Sequence, residues 1–443
     1  MPRELARVLG LRDLILIVVG TVIGSGIFLV PSDVLAHAQQ DVGWALLVWA
    51  GGGVLSLLGA LTYGELGAME PDAGGIYVYM RKAFGPLVAF LYGWAMFFVI
   101  ASGSIATLAV AFGTRYLPQL VKIGPLESKL AALLVIAAVT WVNIRGTRRG
   151  ATVQNVATAI KVGALLLLSV GLLAVGRGLG GSDVKLFAAP MTTTLLSSAG
   201  IGLIGVLWAY EGWQYVTFSA GETVDPQRTF PRGIVVGTAL LIGIYLLANV
   251  GYIAALGPGG VVASKRVAAD AAGSLFGVGL GTIVTLPILV SIFGAANGLV
   301  LTTPRLFYAM ARDGLFFRRL AEVHPRFGTP AVAVGVSAAW AAVLAASGTF
   351  EQLYRFVVFT SWIFFALGAA AVFVYRRRFP DAPRPFRTPG YPVTPALFIL
   401  AAAAIVANTL AAQPRQALVG LGIVATGVPA FAVWKRFSGR VAA

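Results

Sequence analysis

Apolar residues gather in twelve segments along the chain, at 11–35, 42–69, 84–116, 130–144, 152–175, 195–220, 234–256, 281–311, 331–346, 353–375, 393–412 and 417–434. Crossing a hydrocarbon core of about 30 Å takes roughly 20 helical residues, and most segments reach that length. Short polar stretches separate them. The pattern therefore predicts an all-α polytopic membrane protein of 12 transmembrane helices, forming one integral domain over residues 1–443 with no soluble module. Composition agrees: 58% of residues are hydrophobic and 11% charged, whereas an average soluble domain carries roughly 25% charge.

Two segments break the pattern. In the first, residues 20–28 read GTVIGSGIF, and Gly24 and Gly26 each cost a helix about 1 kcal/mol relative to alanine. Backbone N–H and C=O groups freed at mid-membrane depth must find partners in protein, water or a ligand. This stretch reads as a binding site made of backbone; small residues for close helix packing are the alternative. In the sixth, residues 205–217 read GVLWAYEGWQYVT. A carboxylate at mid-span, Glu211, requires a cavity or a partner. Matched interruptions five spans apart fit a 5+5 inverted repeat with helices 1 and 6 broken and a site at the midplane. The first repeat would cover about 11–175, the second 195–375, and 393–434 would add helices 11 and 12.

The formal net charge is +16, but the basic residues are spread among loops rather than gathered on one face, which argues against nucleic acid as a partner. Alternation of the segments puts Arg7, Arg12, Arg145, Arg148, Arg149, Arg312 and Arg376 on one side, against fewer cations such as Arg115, Lys122 and Lys185 on the other. The positive-inside rule then makes both termini cytoplasmic. The first segment is too long for a signal-peptide core and should remain as a span. Cysteine is absent, which removes disulfides and thiolate metal sites. His37 and His324 fall in separate loops, so no metal site and no cofactor is expected. No nucleophile and base pairing or phosphate loop points to an enzyme.

The motifs resemble those of the amino acid/polyamine/organocation superfamily, and within it the L-type amino acid transporters and their bacterial members. The landmarks are GTVIGSGIF at 20–28, YGELGAMEPDAGGIYVYMRKAFGP at 63–86, NVATAIK at 155–161, WAYEGWQY at 208–215, GETVDPQRTFPR at 221–232, FGAANGLVLTTPRLFYAMARDGLF at 293–316 and RRRFPDAPRPFRTPGYP at 376–392. The resemblance implies a LeuT-type fold and sodium-independent exchange of neutral L-amino acids by alternating access in a bacterial plasma (inner) membrane. Gly24, Ser25 and Gly26 would hold the substrate carboxylate, with the Ser25 hydroxyl as an extra donor. Carbonyls of Val22, Trp208 and Glu211 would accept its ammonium, and Ile23 and Ala209, at the two breaks, would also belong to the substrate-binding set. Trp208 would cover the substrate as a gate. Gln214 could add a hydrogen bond, and Ser361 and Trp362 could line the far side.

Lys161 lies about ten residues, roughly 15 Å, into the fifth segment, deeper than a lysine comfortably snorkels. In the family a lysine at this place occupies the position of a coupling sodium and ties segment one to segment eight, where Ser291 is a candidate partner. That argues against sodium coupling and leaves a proton-carrying role open. Glu211 is compatible with three roles: offsetting a cationic substrate, carrying a proton, or pairing with a neighbouring side chain. Glu65, Glu70, Asp72, Arg81, Lys82, Glu222, Asp225, Arg228, Arg312 and Asp313, at cytoplasmic segment ends, would together form a gate, and 380–395 a stiff connector. Without cysteine there is no disulfide-linked heavy chain of the animal L-type kind; a monomer or homodimer is expected. Two other readings stand beside exchange: a proton-coupled symporter and an amino acid sensor that moves nothing.

Overall fold

The computed structural model describes residues 5–181, 183–412 and 414–439. The two chain ends, which the sequence places on the cytoplasmic side, lie outside the described residues. Helices follow the apolar segments in order: α1 (Leu11–Val22), α2 (Gly26–Leu29), α3 (Pro31–His37), α4 (Val42–Met69), α5 (Ile76–Phe84), α6 (Pro86–Gln119), α7 (Pro125–Ile144), α8 (Thr147–Val175), α9 (Thr193–Ala209), α10 (Pro226–Ala263), α11 (Val267–Phe276), α12 (Val278–Arg312), α13 (Ala331–Ser347), α14 (Phe350–Arg378), α15 (Val393–Ala412) and α16 (Pro414–Gly439). Among the described residues there is no β-strand, and eleven helices are long and apolar enough to cross a membrane. The segment at 331–346 departs from the expectation of twelve: α13 has 17 residues, about 25 Å of helix.

Both expected interruptions are present in the backbone. Helix α1 ends at Val22, Ile23 turns extended, and helical geometry resumes at Gly26. Helix α9 ends at Ala209, the chain turns through Tyr210, Glu211 and Gly212, and it continues as a 3-10 helix, Trp213–Glu222. Gly212 has φ +134°, and a Cβ there would lie 3.0 Å from the backbone of Thr21. Glycine is therefore required twice over, by conformation and by the approach of one break to the other. Helix α6 carries two π-helical stretches, Met96–Ile100 and Ala111–Tyr116, a distortion frequent near functional sites.

Helix α1 packs against α8, α10 and α12, and α4 lies along α10. Polar side chains join the segment ends. Arg305 Nε of α12 donates to Glu222 Oε2 at 2.7 Å, and Thr147 Oγ1 of α8 donates to Glu222 Oε1 at 2.7 Å. The Glu222 carbonyl accepts the N–H groups of Val8 and Leu9. Glu65 likewise binds Arg376 through both oxygens, at 2.9 and 2.8 Å, and accepts the Thr388 N–H at 2.7 Å, which fixes the proline-rich connector to α4. Glu65 and Glu222 are thus buried ion-pair members rather than loop charges. His37 also departs from its predicted loop position: it ends α3, with Nδ1 3.1 Å from Ser198 Oγ.

Candidate functional site at the two helix breaks

Carbonyls freed by the first break converge on one cation. Lys161 Nζ, 1% exposed, donates to the carbonyls of Gly20 at 2.5 Å, Ile23 at 2.6 Å and Ser291 at 3.2 Å. Ser291 Oγ, on α12, also donates to Ile23 O at 2.9 Å and reaches Gly24 O at 3.3 Å. Burying an ammonium is costly unless it is fully hydrogen-bonded, and here three backbone oxygens receive it. The arrangement joins α1, α8 and α12 at the interruption.

The second break is fastened to the first by Tyr245 of α10, whose hydroxyl lies 3.2 Å from Val22 O and 2.9 Å from Ala209 O. Between the breaks is a cavity of about 20 Å³, room for about one water. Val22, Gly24, Ser25, Gly26, Trp208 and Glu211, six of the residues named from the sequence, line it. Ile23, Ala209 and Gln214 stand behind it. Gln214 spends its amide locally, donating to Glu211 Oε1 at 2.8 Å and accepting the Gly212 N–H at 3.1 Å. Trp362 packs on Phe365 and Phe398 instead of the cavity.

Donor groups at the cavity are left without partners. The Ser25 hydroxyl is buried with no hydrogen-bond partner, and the N–H groups of Gly24 and Ser25 meet no backbone carbonyl among the described residues. Buried donors in that condition normally have a partner. The carbonyls expected to take an ammonium are partly engaged: Trp208 O accepts the Glu211 N–H at 3.1 Å, and Val22 O faces Tyr245. Each retains a second lone pair.

Glu211 accepts hydrogen bonds from Gln214, from Tyr215 OH at 3.1 Å and from Ser361 Oγ at 3.4 Å. All three are neutral donors. Sequence reasoning missed Thr21, Ser104, Leu108, Tyr215 and Leu299 in the cavity wall and Tyr245 behind it. Thr21, Ser104, Tyr215 and Tyr245 stand out in the sequence only as polar groups within long apolar runs, and Leu108 and Leu299 not at all. A Cβ on Gly26 would lie 2.6 Å from Ala209 Cα. That residue is the contact point of the two breaks more than an open space.

Away from the breaks, a cavity of about 360 Å³ is lined in part by Asp72, Arg81, Lys82, Arg312 and Asp313. Arg81 pairs with Asp313 at 2.7 Å, and Tyr77 OH donates to Asp313 at 2.8 Å, linking α5 to the end of α12. Desolvation, and then the charge of Asp313, pushes the Tyr77 phenol up, so it stays a donor.

Broken helices meeting around a small cavity, among helices long and apolar enough to cross a membrane, are the arrangement found in membrane permeases. The family model described as amino acid permease matches residues 9–428. The chain is 31% identical over 430 residues to the serine/threonine exchanger SteT of Bacillus subtilis (strain 168), covering 96% of each. It is 32% identical over 436 residues to the human large neutral amino acids transporter small subunit 2, covering 96% of this chain and 80% of that one. It is also 32% identical over 428 residues to the human cystine/glutamate transporter, covering 95% and 84%. The chain belongs to the amino acid permease family.

Proposed function

We propose that this protein exchanges neutral L-amino acids across a bacterial plasma membrane by alternating access, without sodium. The observation that carries the reading is the pairing of an unpartnered Ser25 hydroxyl and free Gly24 and Ser25 N–H groups with a lysine already seated in the neighbouring carbonyl ring. The donors suit a substrate carboxylate. Carbonyl oxygens that would coordinate a coupling cation are engaged by Lys161 Nζ, which supports sodium independence. Helices 1–5 and 6–10 would form two inverted repeats, over about 11–175 and 195–375, with 393–434 appended and α13 as a short twelfth span. Trp208 would act as the gate, and the Arg81–Asp313 link as part of a barrier on one side. A cavity of about 20 Å³ is too small for any amino acid, so substrate entry requires the two halves to part. The names of three relatives, a serine/threonine exchanger, a large neutral amino acids transporter subunit and a cystine/glutamate transporter, support amino acid transport, and the first of them supports exchange.

The test is uptake of labelled alanine, serine and leucine into proteoliposomes loaded with unlabelled amino acid or left empty, without sodium or a pH gradient. Uptake confined to loaded vesicles is the expected result. Uptake into empty vesicles that rises with an imposed proton gradient would replace exchange by proton symport, and binding with no uptake would favour the sensor.

A further inference from the structure

Where α7 turns into α8, Arg145, Arg148 and Arg149 border an open cavity of about 360 Å³ whose apolar wall includes Trp141, Val142 and Val153. The Arg145 guanidinium sits 4.1 Å from the centre of the Trp141 ring. Arg148 donates to Asp13 Oδ2 at 3.2 Å and to the Val8 carbonyl at 3.2 Å, and Arg149 is exposed. No carboxylate lines the cavity itself. From the arginines, exposed apolar side chains run along both helices at four- and seven-residue spacing: Trp141, Leu134 and Leu130 on α7, and Val156, Ile160 and Leu167 on α8. Such stripes at helical spacing on spanning helices are lipid-facing. A cationic cluster therefore caps an apolar surface at the end of two spans, with an aromatic ring at the boundary, where tryptophan is enriched.

We propose that this cavity holds the headgroup of an anionic phospholipid, its phosphate on Arg145, Arg148 and Arg149 and its acyl chains along the stripes of α7 and α8. Guanidinium groups bind phosphate oxygens through paired, charge-assisted hydrogen bonds, and basic pockets between spanning helices suit anionic headgroups. The continuity of cluster and stripe selects a lipid over a free phosphate, which would have no use for the apolar surface. Because Arg148 also holds Asp13 in the first turn of α1, the site lies one side chain from the helix that carries the first break.

The test needs no transport activity. Full-length protein, delipidated in detergent, is incubated with equal amounts of palmitoyl-oleoyl phosphatidylglycerol and phosphatidylcholine and observed by native mass spectrometry. Wild type should retain phosphatidylglycerol at least about fivefold over phosphatidylcholine, R145Q/R149Q should lose that preference, R145K/R149K should keep most of it, and R318Q/R319Q on another loop should behave as wild type. Equal retention of the two lipids by wild type, or wild-type preference in R145Q/R149Q, overturns the site. Displacement of the lipid by inorganic phosphate alone would make it a phosphate site and also overturns it. A second measurement avoids arginine variants: phosphatidylglycerol brominated on its acyl chains should quench tryptophan emission more than brominated phosphatidylcholine, with the difference absent in W141F. Equal quenching by both in wild type refutes the proposal.

Discussion

Lys161 Nζ and Ser291 Oγ share one acceptor, the carbonyl of Ile23, at 2.6 and 2.9 Å. One oxygen at the first break thus receives donors from α8 and from α12, and the interruption is held from two sides. Lys161→Ala would leave the Gly20 carbonyl without this donor and halve the donors on Ile23, at about 1–3 kcal/mol for each buried group left unpaired. Exchange by K161A in proteoliposomes is expected to fall at least about tenfold, with a lowered melting temperature in detergent. Turnover at the wild-type rate would show that the contact has no part in transport.

Ser25 makes a sharper case, because its hydroxyl has nothing to lose in the unliganded protein. Ser25→Ala should leave thermal stability unchanged and weaken substrate affinity by about tenfold, the equivalent of one hydrogen bond of about 1.4 kcal/mol. Gly26→Val contrasts with it. A side chain there meets Ala209 Cα at 2.6 Å, so folding yield should drop together with binding. Substrate-dependent thermal shifts on both variants separate the two; a destabilised S25A would mean that the hydroxyl is structural.

The Glu222–Arg305 pair is fully buried and joins the ends of the sixth and eighth spans. Removing one partner leaves a charge without compensation, typically at 3–5 kcal/mol. Arg305→Met should therefore reduce the monodisperse fraction and the melting temperature strongly, while E222L/R305M, which removes both charges, should recover part of the loss. A single variant as stable as wild type would contradict this.

Acid sensitivity is predicted for the loop before α9. Desolvation pushes the Asp41 carboxyl up, but the N–H groups of Ala189, Phe187, Trp44 and Ala188 outweigh it and hold the group below the usual carboxylate range. A carboxyl depressed in the folded state contributes stability above its unfolded value, about 3.9, and loses it as pH falls through the folded value. Docking of Phe187–Ala189 on Asp41 should hold from pH 5 to 8 and loosen below about pH 4, whereas Asp41→Ala should release it at neutral pH. Hydrogen exchange at these amides is the measurement, and slow exchange in D41A would dispose of the assignment.

Much of the architecture was legible because it depends on local, one-dimensional properties. Apolar run length locates the spans, and the cost of Gly24, Gly26, Glu211 and Gly212 in an apolar helix locates the two breaks. The same local reasoning placed a buried lysine at 161 in need of polar partners. It failed where the outcome depends on how helices are turned against one another. Residue spacing does not record that Tyr245 reaches both breaks, that Ser104 and Leu108 enter the cavity between two π-helical stretches, or that Gln214 is consumed by Glu211 and Gly212. It set Glu65 and Glu222 among charges at segment ends without naming their partners, Arg376 and Arg305, which lie more than 80 residues away in sequence. Hydrophobicity acts through summed area along a segment and is visible in a string of letters. Hydrogen bonds act over about 3 Å, a precision reached only after helix rotation, tilt and depth are set by packing.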